Sequence, residues 1–277
     1  MHNYMKEKEF SMRDYQEMQN FYQNKYNENN RMDRNPLEYL RCKEIISRYL
    51  KDEVMRIADI GGATGVFSFW LAKQGHLVSL LDYTPSHIDQ AKEKSSSNGI
   101  ELRSFDCGDA KSLPYESGEF DLVLLMGPLY HMQKNEDRIQ CLNEAYRVLK
   151  KGGIVICESI SRYANIFDGF KYMFIEDEKF VKILDENLAS GMHNPEDTEY
   201  FTTAFFHTPD LLKKEIEQAN FEVINLVSVE GFGQIFDTDS LMSDETKKEM
   251  LLKYIRKTES TPELLGVSSH HMIIGKK

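Results

Sequence analysis

Hydrophobic and polar positions along this chain alternate in blocks, and the blocks predict strands that are followed by helices. Short apolar runs, typical of buried strands, occur at 54–60, 76–82, 100–106, 120–127 and 154–160. The segments between them carry apolar residues at helical spacing or end in turn residues. This alternation predicts a doubly wound α/β sheet with helices on both faces.

Proline placed directly after a capping residue predicts where three helices begin. The pairs at 35–36, 84–85 and 208–209 each join Asn or Thr to Pro, and proline suits the first helical position. Glu38 stands three residues after Asn35, which completes a capping-box pattern. We therefore expect side-chain caps at these three positions.

The strand–helix alternation stops at about residue 161 and divides the chain into parts. Residues 36–160 form the predicted core, and 161–207 read as an aromatic-rich, helical insertion after the fifth strand. Residues 208–277 resume the pattern with a helix, a strand, a charged helix and a final apolar strand, so they are expected to complete the same sheet. Residues 1–35 read as an amphipathic N-terminal arm.

Composition excludes several classes of protein. The chain has 277 residues, of which 41% are hydrophobic and 29% charged, which is ordinary globular composition. Its net charge of −11 disfavours a nucleic-acid partner, because a protein that binds nucleic acid usually needs a basic face to neutralise the phosphates. No apolar run approaches the roughly 20 residues of a membrane helix, and the first residues lack a signal-peptide pattern. We expect a cytoplasmic protein that does not bind membranes.

The sequence predicts neither disulfides nor a required metal. Its four cysteines are scattered without CxxC spacing, as in reduced cytosolic proteins. His270 and His271 are adjacent in a predicted strand, so their side chains point to opposite faces and cannot share a metal. We find no other Asp, Glu and His cluster at metal-ligand spacing in the sequence.

The turn after the first strand, in "IADIGGATG", is the first candidate ligand site. Ligands of open α/β sheets bind at the carboxyl ends of the strands, where strand order reverses. The dinucleotide fingerprint G-x-G-x-x-G fails in both registers, because positions 63, 64, 66 and 67 hold no glycine. A tight strand-to-helix connection without a ligand is the alternative.

What remains in this turn is an acid followed by a glycine-rich loop. Asp59 precedes Gly61, Gly62, Ala63 and Gly65. This pattern resembles the (D/E)xGxGxG loop of class I S-adenosylmethionine (SAM) dependent methyltransferases, with alanine in place of the middle glycine. The resemblance implies that the loop and its acid hold the methionine end of SAM.

Two further segments occur in the order of this family. Asp82 closes the second strand and is followed by Tyr83; the resemblance implies contacts with the ribose hydroxyls and with adenine. The segment "DCGDAKSLPYESGEFDLV" is similar to the family's D-A-x-x-L-P-(F/Y) region. It implies that Asp109 and the Ala110 backbone lie near the adenine amino group.

The fourth strand and the next helix extend the resemblance. Met126 and Gly127, in "LLMGPLYHM", stand where the family lines the sulfonium, and "RVLKKGG" is similar to its R-V-L-K-P-G-G turn. The resemblance covers residues 36–160 and the terminal strands. It implies a Rossmann-like sheet of seven strands with the last antiparallel, SAM as cofactor and S-adenosylhomocysteine as product.

Tyr130 and His131 are the candidate catalytic residues, since they follow the fourth strand beside the expected methyl group. The family shares no universal catalytic residue, because the methyl group is already activated and positioning is the main requirement. His131 is a candidate general base, or else it caps a helix or contacts the cofactor. Tyr130 shapes the acceptor pocket or packs in the core.

Residues of the insertion and of the N-terminal arm are candidates for contact with the acceptor or as a lid. Arg162 and Tyr163 follow the fifth strand, and Phe170 belongs to an aromatic cluster that otherwise forms the insertion's own core. Tyr26 and Arg31 lie in the arm, which we expect to cover the cofactor site; arginine suits a carboxylate such as that of SAM.

The function predicted from the sequence is methyl transfer from SAM to a small organic acceptor, at an O or N atom in preference to C. Two alternatives stay open: an enzyme that modifies protein or RNA, and a SAM-binding protein without catalysis. We expect a monomer or a homodimer whose partner is the small-molecule acceptor.

Overall fold

The computed structural model describes residues 35–195 and 200–277. The candidates Tyr26 and Arg31, like the rest of the predicted arm before Asn35, lie outside the described residues. The strands are β1 (Arg56–Ile60), β2 (Leu77–Asp82), β3 (Ser104–Cys107), β4 (Phe120–Leu125), β5 (Leu149–Ile160), β6 (Met192–His193), β7 (Ala204–Phe205), β8 (Glu222–Ser228) and β9 (His270–Lys276).

Helices alternate with the strands of the main sheet. They are α1 (Pro36–Ser47), α2 (Val66–Ala72), α3 (Pro85–Asn98), α4 (Pro128–His131), α5 (Asn135–Val148), α6 (Ala164–Lys171), α7 (Glu178–Ser190), α8 (Pro209–Gln218), α9 (Thr238–Met242), α10 (Glu245–Thr258) and α11 (Pro262–Leu265). Each strand or helix predicted from the sequence between residues 36 and 160 has a counterpart here.

The main sheet has seven strands in the order β3-β2-β1-β4-β5-β9-β8. The pairs from β3 to β5 are parallel, whereas β9 runs antiparallel to both β5 and β8. The predicted seven-stranded, doubly wound sheet with an antiparallel last strand is therefore confirmed. Strand order reverses between β1 and β4, so the carboxyl ends of these strands flank the position where such folds bind ligands.

Apolar side chains cover both faces of this sheet, which explains the nearly continuous apolar runs in the sequence. On one face Leu142 of α5 and Leu212 of α8 pack with Val123 of the central strand β4. On the other face Ile45 of α1 and Leu71 of α2 pack with residues of the same strands. Burial on both faces holds the strand ends in fixed positions.

Two of the three predicted side-chain caps are wrong. The side chains of Asn35 and Thr84 accept no capping hydrogen bond, whereas Thr208 accepts one from the Leu211 N–H. Glu38 does not complete a capping box either, because its carboxyl is buried and lies toward His270 of β9. Long-range electrostatics outweighs the local pattern at this residue.

The predicted insertion contains helices α6 and α7 and the two-stranded β6–β7 sheet. A single bridge between Ser161 and His207 joins its two ends. The rings of Phe174, Phe180 and Tyr200 pack with centroids 5.1–5.4 Å apart. The insertion thus has a small aromatic core of its own.

A buried ion pair ties this region to the main sheet. Glu215 of α8 accepts hydrogen bonds from the Arg138 guanidinium of α5 at 2.7–3.1 Å, and the His207 Nε2 lies 3.2 Å from its Oε2. Burial alone raises the pKa of Glu215, but His207 and Arg138 lower it to about 2. The carboxylate is therefore ionised throughout the neutral range.

We predict that Glu215→Ala lowers the free energy of unfolding by about 3–5 kcal/mol, because it leaves the buried Arg138 charge without its carboxylate. The control is Glu217→Ala on the same helix, where an exposed carboxyl lies 3.9 Å from Lys213; it should cost less than about 0.5 kcal/mol. Urea unfolding followed by circular dichroism measures both. Equal losses in the two variants would contradict the importance of this ion pair.

Candidate active site

The glycine turn between β1 and α2 packs tightly against the side chains around it. A Cβ added at Gly61 would lie 2.7 Å from Pro128 Cγ, and one added at Gly62 would lie 2.6 Å from the Asp59 carboxyl. Gly61 and Gly65 have positive φ of 71° and 83°, and Ala63 also has a left-handed φ of 48°. The alanine thus adopts a conformation that favours glycine.

Asp59 is completely buried beneath this turn. Its Oδ2 accepts a hydrogen bond of 2.6 Å from the Ser68 hydroxyl of α2, while Oδ1 accepts none from the described residues. Burial and the charge of Asp82 raise the pKa of Asp59. The hydrogen bond from Ser68 lowers it, and the net result is a pKa of about 6. Asp59 supports the turn from below and is absent from the cleft wall described next.

Asp82, at the end of β2, joins three segments of the chain. Its Oδ2 accepts a hydrogen bond from the Ala63 N–H at 2.9 Å, and its Oδ1 accepts one from the Thr84 N–H at 2.8 Å. The Nδ1 of His87 lies 3.0 Å from the same Oδ1. The carboxylate therefore fixes the glycine turn relative to the start of α3.

A cleft of about 120 Å³ opens above these residues, at the carboxyl ends of β1, β2 and β4. It brings together these predicted residues: Gly61, Gly62, Ala63, Asp82, Tyr83, Asp109, Ala110, Met126, Gly127, Tyr130 and His131. Its other lining residues, which sequence reasoning missed, are Val66, Phe67, Leu81, Thr84, His87, Gly108, Pro128 and Met132. Gly65 instead occupies the N-cap position of α2.

Some of the missed residues had a signal in the sequence. His87 lies in the first turn of the helix that follows Asp82, which brings it back toward that carboxyl. Pro128 follows Gly127 directly and begins α4. The remaining lining residues are apolar or small, and no sequence pattern separates them from ordinary core residues.

Tyr130 and His131 lie on α4, a single helical turn after β4. Their ring centroids are 4.6 Å apart, and the His131 ring stacks on Phe201 of the insertion at 6.1 Å. The Tyr130 hydroxyl lies 3.4 Å from the Met126 carbonyl oxygen. The roles of the two residues in catalysis stay predictions.

A larger second chamber of about 500 Å³ adjoins the cleft, and Tyr130 lines both. Its wall comes from Tyr130 and from residues within 35–38, 160–172, 200–206, 230–239 and 269–270. Like the cleft, it lies near the carboxyl end of the parallel strands, beside Ile160 at the end of β5.

Three predicted lid or acceptor residues do not line either cavity. Arg162 donates to the Ser190 carbonyl at 3.0 Å and so holds the insertion together. The ring of Tyr163 packs beside Gly266, and the side chain of Phe170 is 63% exposed. The roles of these three residues in the acceptor pocket or in a lid stay predictions.

The fold assembles a polar cluster in the second chamber that the sequence did not predict. The Nδ1 of His270 lies 2.6 Å from Glu230 Oε1 and 4.0 Å from Glu38 Oε2, within a group compact enough to hold a metal ion. No sequence pattern marks this cluster, because its residues come from α1, from the segment that follows β8, and from β9. Burial lowers the pKa of His270, but Glu230 and Glu38 overcome this and raise it.

Comparisons with known proteins identify the central part of the chain. Residues 58–157 match a family model described as a methyltransferase domain. A rice protein, 2-methyl-6-phytyl-1,4-hydroquinone methyltransferase 1, is 33% identical over 36% of this chain and 29% of its own length. A ubiquinone/menaquinone biosynthesis C-methyltransferase of Ruegeria is 30% identical over 47% of this chain and 54% of its own length.

A solved structure extends the likeness to most of the fold. A SAM-dependent methyltransferase from Methanosarcina mazei superposes with a TM-score of 0.58 and 19% identity, over 84% of this chain and 96% of the other. The fold and the matched domain are those of the class I SAM-dependent methyltransferases, which take the methyl group from SAM. The chain contains the methyltransferase domain of this enzyme class.

The relatives also bear on the methyl acceptor. The chain spans less than a third of the rice protein and about half of the Ruegeria protein. The expectation of an O or N acceptor atom in preference to C finds no support, since one of these relatives is named a C-methyltransferase. Within the described residues, the helices are too short or too polar to cross a membrane.

We predict a pH-dependent stability difference between the Asp59→Asn variant and the wild type. The folded-state pKa of about 6 exceeds the ordinary 3.8, so the folded state binds more protons between these values. The wild type therefore loses stability as pH rises through this window, by about 2–3 kcal/mol, and the variant lacks this loss. Urea unfolding of both proteins at pH 4.5 and pH 7.5 measures the change, and an equal difference at the two pH values would contradict it.

Proposed function

We propose that this chain transfers a methyl group from SAM to a small organic acceptor. One observation carries the proposal: a single cleft at the carboxyl ends of β1, β2 and β4 brings together the glycine turn, Asp82 and Asp109, and it adjoins a second chamber through Tyr130. The donor would occupy the cleft, and the acceptor would occupy the chamber. The matched methyltransferase domain supports the reaction class.

The features of the cleft suit the parts of SAM. The turn at Gly61 and Gly62 has no room for side chains, so its backbone can approach the methionine end of a ligand closely. The buried Asp59 beneath it keeps an oxygen without a hydrogen bond from the described residues and supplies negative charge below the ammonium and the sulfonium.

The ribose and adenine would lie toward the second strand. Asp82 uses three of its acceptor positions within the chain, and a carboxylate offers about four, so it can still accept from a ribose hydroxyl. Tyr83, which is 37% exposed, would cover adenine. Asp109 and Ala110 would approach the adenine amino group from the opposite wall.

When bound, SAM supplies a methyl group already activated by the sulfonium. The chain's own task is to orient the acceptor atom, exclude water and take up a proton where the acceptor must lose one. Tyr130 stands at the junction of cleft and chamber, where it would position the acceptor. His131 lies in the cleft wall beside it, and we keep it as the candidate base.

The acceptor is proposed to be a small molecule, because the chamber is a walled cavity of about 500 Å³ lined partly by the insertion. The relatives named for hydroquinone and quinone substrates are consistent with this size class. The proposal covers methylation at carbon, nitrogen or oxygen.

We predict that the chain binds SAM and S-adenosylhomocysteine, and that Asp82→Ala weakens both at least about tenfold, because a hydrogen bond to a charged group contributes roughly 1.5–3 kcal/mol. Gly61→Val should abolish binding, since its side chain would collide with Pro128. Isothermal titration calorimetry measures each affinity. Thermal melts followed by circular dichroism report whether each variant is folded.

The matched control is Asp89→Ala, which removes an exposed carboxyl from α3, the helix that follows Asp82. It should leave both affinities unchanged. No detectable binding of either ligand by the wild type would refute the proposed function. Tight binding without any methyl transfer to a panel of labelled acceptors would favour the alternative of a SAM-binding protein.

A further inference from the structure

We infer that Asn165 is a specificity-determining residue of the second chamber, where its side-chain oxygen accepts a hydrogen bond from an O–H or N–H group of the methyl acceptor. That donor group belongs to a molecule with an aromatic or apolar body. The inference deepens the proposed function and rests on it. It is drawn from the orientation of the Asn165 amide, from the side of the amide that meets the chamber, and from the residues around it.

A chain of hydrogen bonds that starts at a backbone carbonyl orients the Asn165 amide. The Nδ2 of Asn187 lies 2.5 Å from the Met192 carbonyl oxygen, and a carbonyl oxygen can only accept a hydrogen bond. Asn187 therefore directs its NH₂ group to Met192 and its Oδ1 to Asn165. The Nδ2 of Asn165 donates to that oxygen. The NH₂ group of Asn165 is thus directed toward α7.

His193 supports the same orientation. Its Nδ1 lies 3.4 Å from the Asn165 Nδ2 and 3.3 Å from the Asn187 Oδ1. Burial lowers the pKa of His193 to about 4, so the ring is neutral at neutral pH. Its Nδ1 then either accepts from Asn165 or donates to Asn187. In both tautomers the NH₂ group of Asn165 faces these two side chains.

The side-chain oxygen of Asn165 is left on the chamber side. Asn165 lines the chamber, whereas Asn187 and His193, which face its NH₂ group, do not. Its residue is 8% exposed. Its Oδ1 accepts no hydrogen bond from the described residues and keeps accessible surface, unlike the unpaired Oδ1 of Asp59. A ligand that displaces water from this oxygen loses affinity unless it supplies a donor of its own.

The wall beside Asn165 is aromatic and apolar. Phe206 lines the chamber, and its ring stacks on that of His193 with centroids 5.0 Å apart. Ile160 and Ala164 belong to the same buried cluster as Phe206 and also line the chamber. Such a wall packs against apolar and aromatic skeletons. A ligand with a ring against Phe206 and a donor at Asn165 satisfies both parts of it.

Asp168 is the competing recognition group, because it lies one turn further along α6 and lines the same chamber. Its Oδ1 already accepts a hydrogen bond of 3.2 Å from the Gln234 Nε2. As a carboxylate it would favour a cationic ligand, whereas the neutral amide of Asn165 suits a neutral O–H or N–H donor. Substitution of each residue in turn separates the two contributions.

The orienting hydrogen bonds lie in the insertion, outside the matched domain. Asn165 is on α6, Asn187 is on α7, and Met192 and His193 form β6. All four residues follow residue 157, where the match to the family model ends. Recognition of the acceptor is thereby assigned to the insertion, and recognition of SAM to the cleft.

The test compares three probes of nearly equal shape on the full chain with saturating S-adenosylhomocysteine. The probe 4-propylphenol carries an O–H group, 4-propylaniline carries a neutral N–H group at pH 7.5, and 4-propyltoluene carries a methyl group in the same position. Ligand-observed NMR titration should give at least one of the two donors an affinity at least about fivefold above that of 4-propyltoluene, because a neutral hydrogen bond contributes about this factor. The tighter of the two donors identifies the O–H or the N–H group as the preferred one.

Three variants locate the contact. Asn165→Leu, which has a similar volume without the oxygen, should weaken the preferred donor at least about fivefold and leave 4-propyltoluene unchanged. Asp168→Asn should keep the preference. Asn98→Leu replaces an exposed asparagine at the end of α3 and is the control, which should change nothing. All three should bind S-adenosylhomocysteine as the wild type does. The comparison of probes on the wild type keeps the test decisive if Asn165→Leu fails to fold.

The possible outcomes separate the two proposals. If S-adenosylhomocysteine binds but 4-propyltoluene binds as tightly as both donors, or no probe binds, the inference is overturned and the proposed function stands. A donor preference that survives Asn165→Leu would also overturn the inference, and its loss in Asp168→Asn instead would assign the contact to Asp168. If S-adenosylhomocysteine does not bind, the proposed function fails and the inference fails with it.

Discussion

The close packing of neighbouring side chains against the backbone of the turn after β1 is the constraint on which the rest of the site depends. Side chains at Gly61 and Gly62 would collide with Pro128 and with the carboxyl of Asp59. Because the turn is this tight, Asp82 can reach the Ala63 N–H, and β4 can deliver α4 to the same cleft. The two cavities meet at Tyr130 for that reason.

The sequence predicts this part of the molecule well because its information is local. Buried parallel strands read as apolar runs, and the turn after β1 carries the acid and the glycines of a recognisable loop. Even the departure at Ala63 was visible, although its left-handed conformation was not. The number of strands and the antiparallel last strand followed from the family resemblance. The side-chain caps expected at Asn35 and Thr84 are absent, because local propensity does not decide which groups long-range contacts use.

The second chamber could not be predicted from the sequence, for a physical reason. Glu38, Glu230 and His270 are separated by tens to hundreds of positions along the chain. Only the fold places α1, the segment that follows β8, and β9 together. The sequence pattern predicts Glu38 in a capping box, and it makes Arg162 and Phe170 candidates for the acceptor pocket or a lid. The structure uses Arg162 to hold the insertion together, exposes Phe170, and forms the acidic wall from residues that carry no motif.

The most direct measurement of the central claim is a crystal structure of the full chain grown with S-adenosylhomocysteine. Our account predicts density for the ligand in the cleft, with its amino-acid end against the backbone of Gly61 and Gly62 and a ribose hydroxyl within hydrogen-bond distance of Asp82. The open sulfur position should face Tyr130 and the second chamber. Density for the ligand elsewhere, or an empty cleft at saturating ligand, would contradict the account.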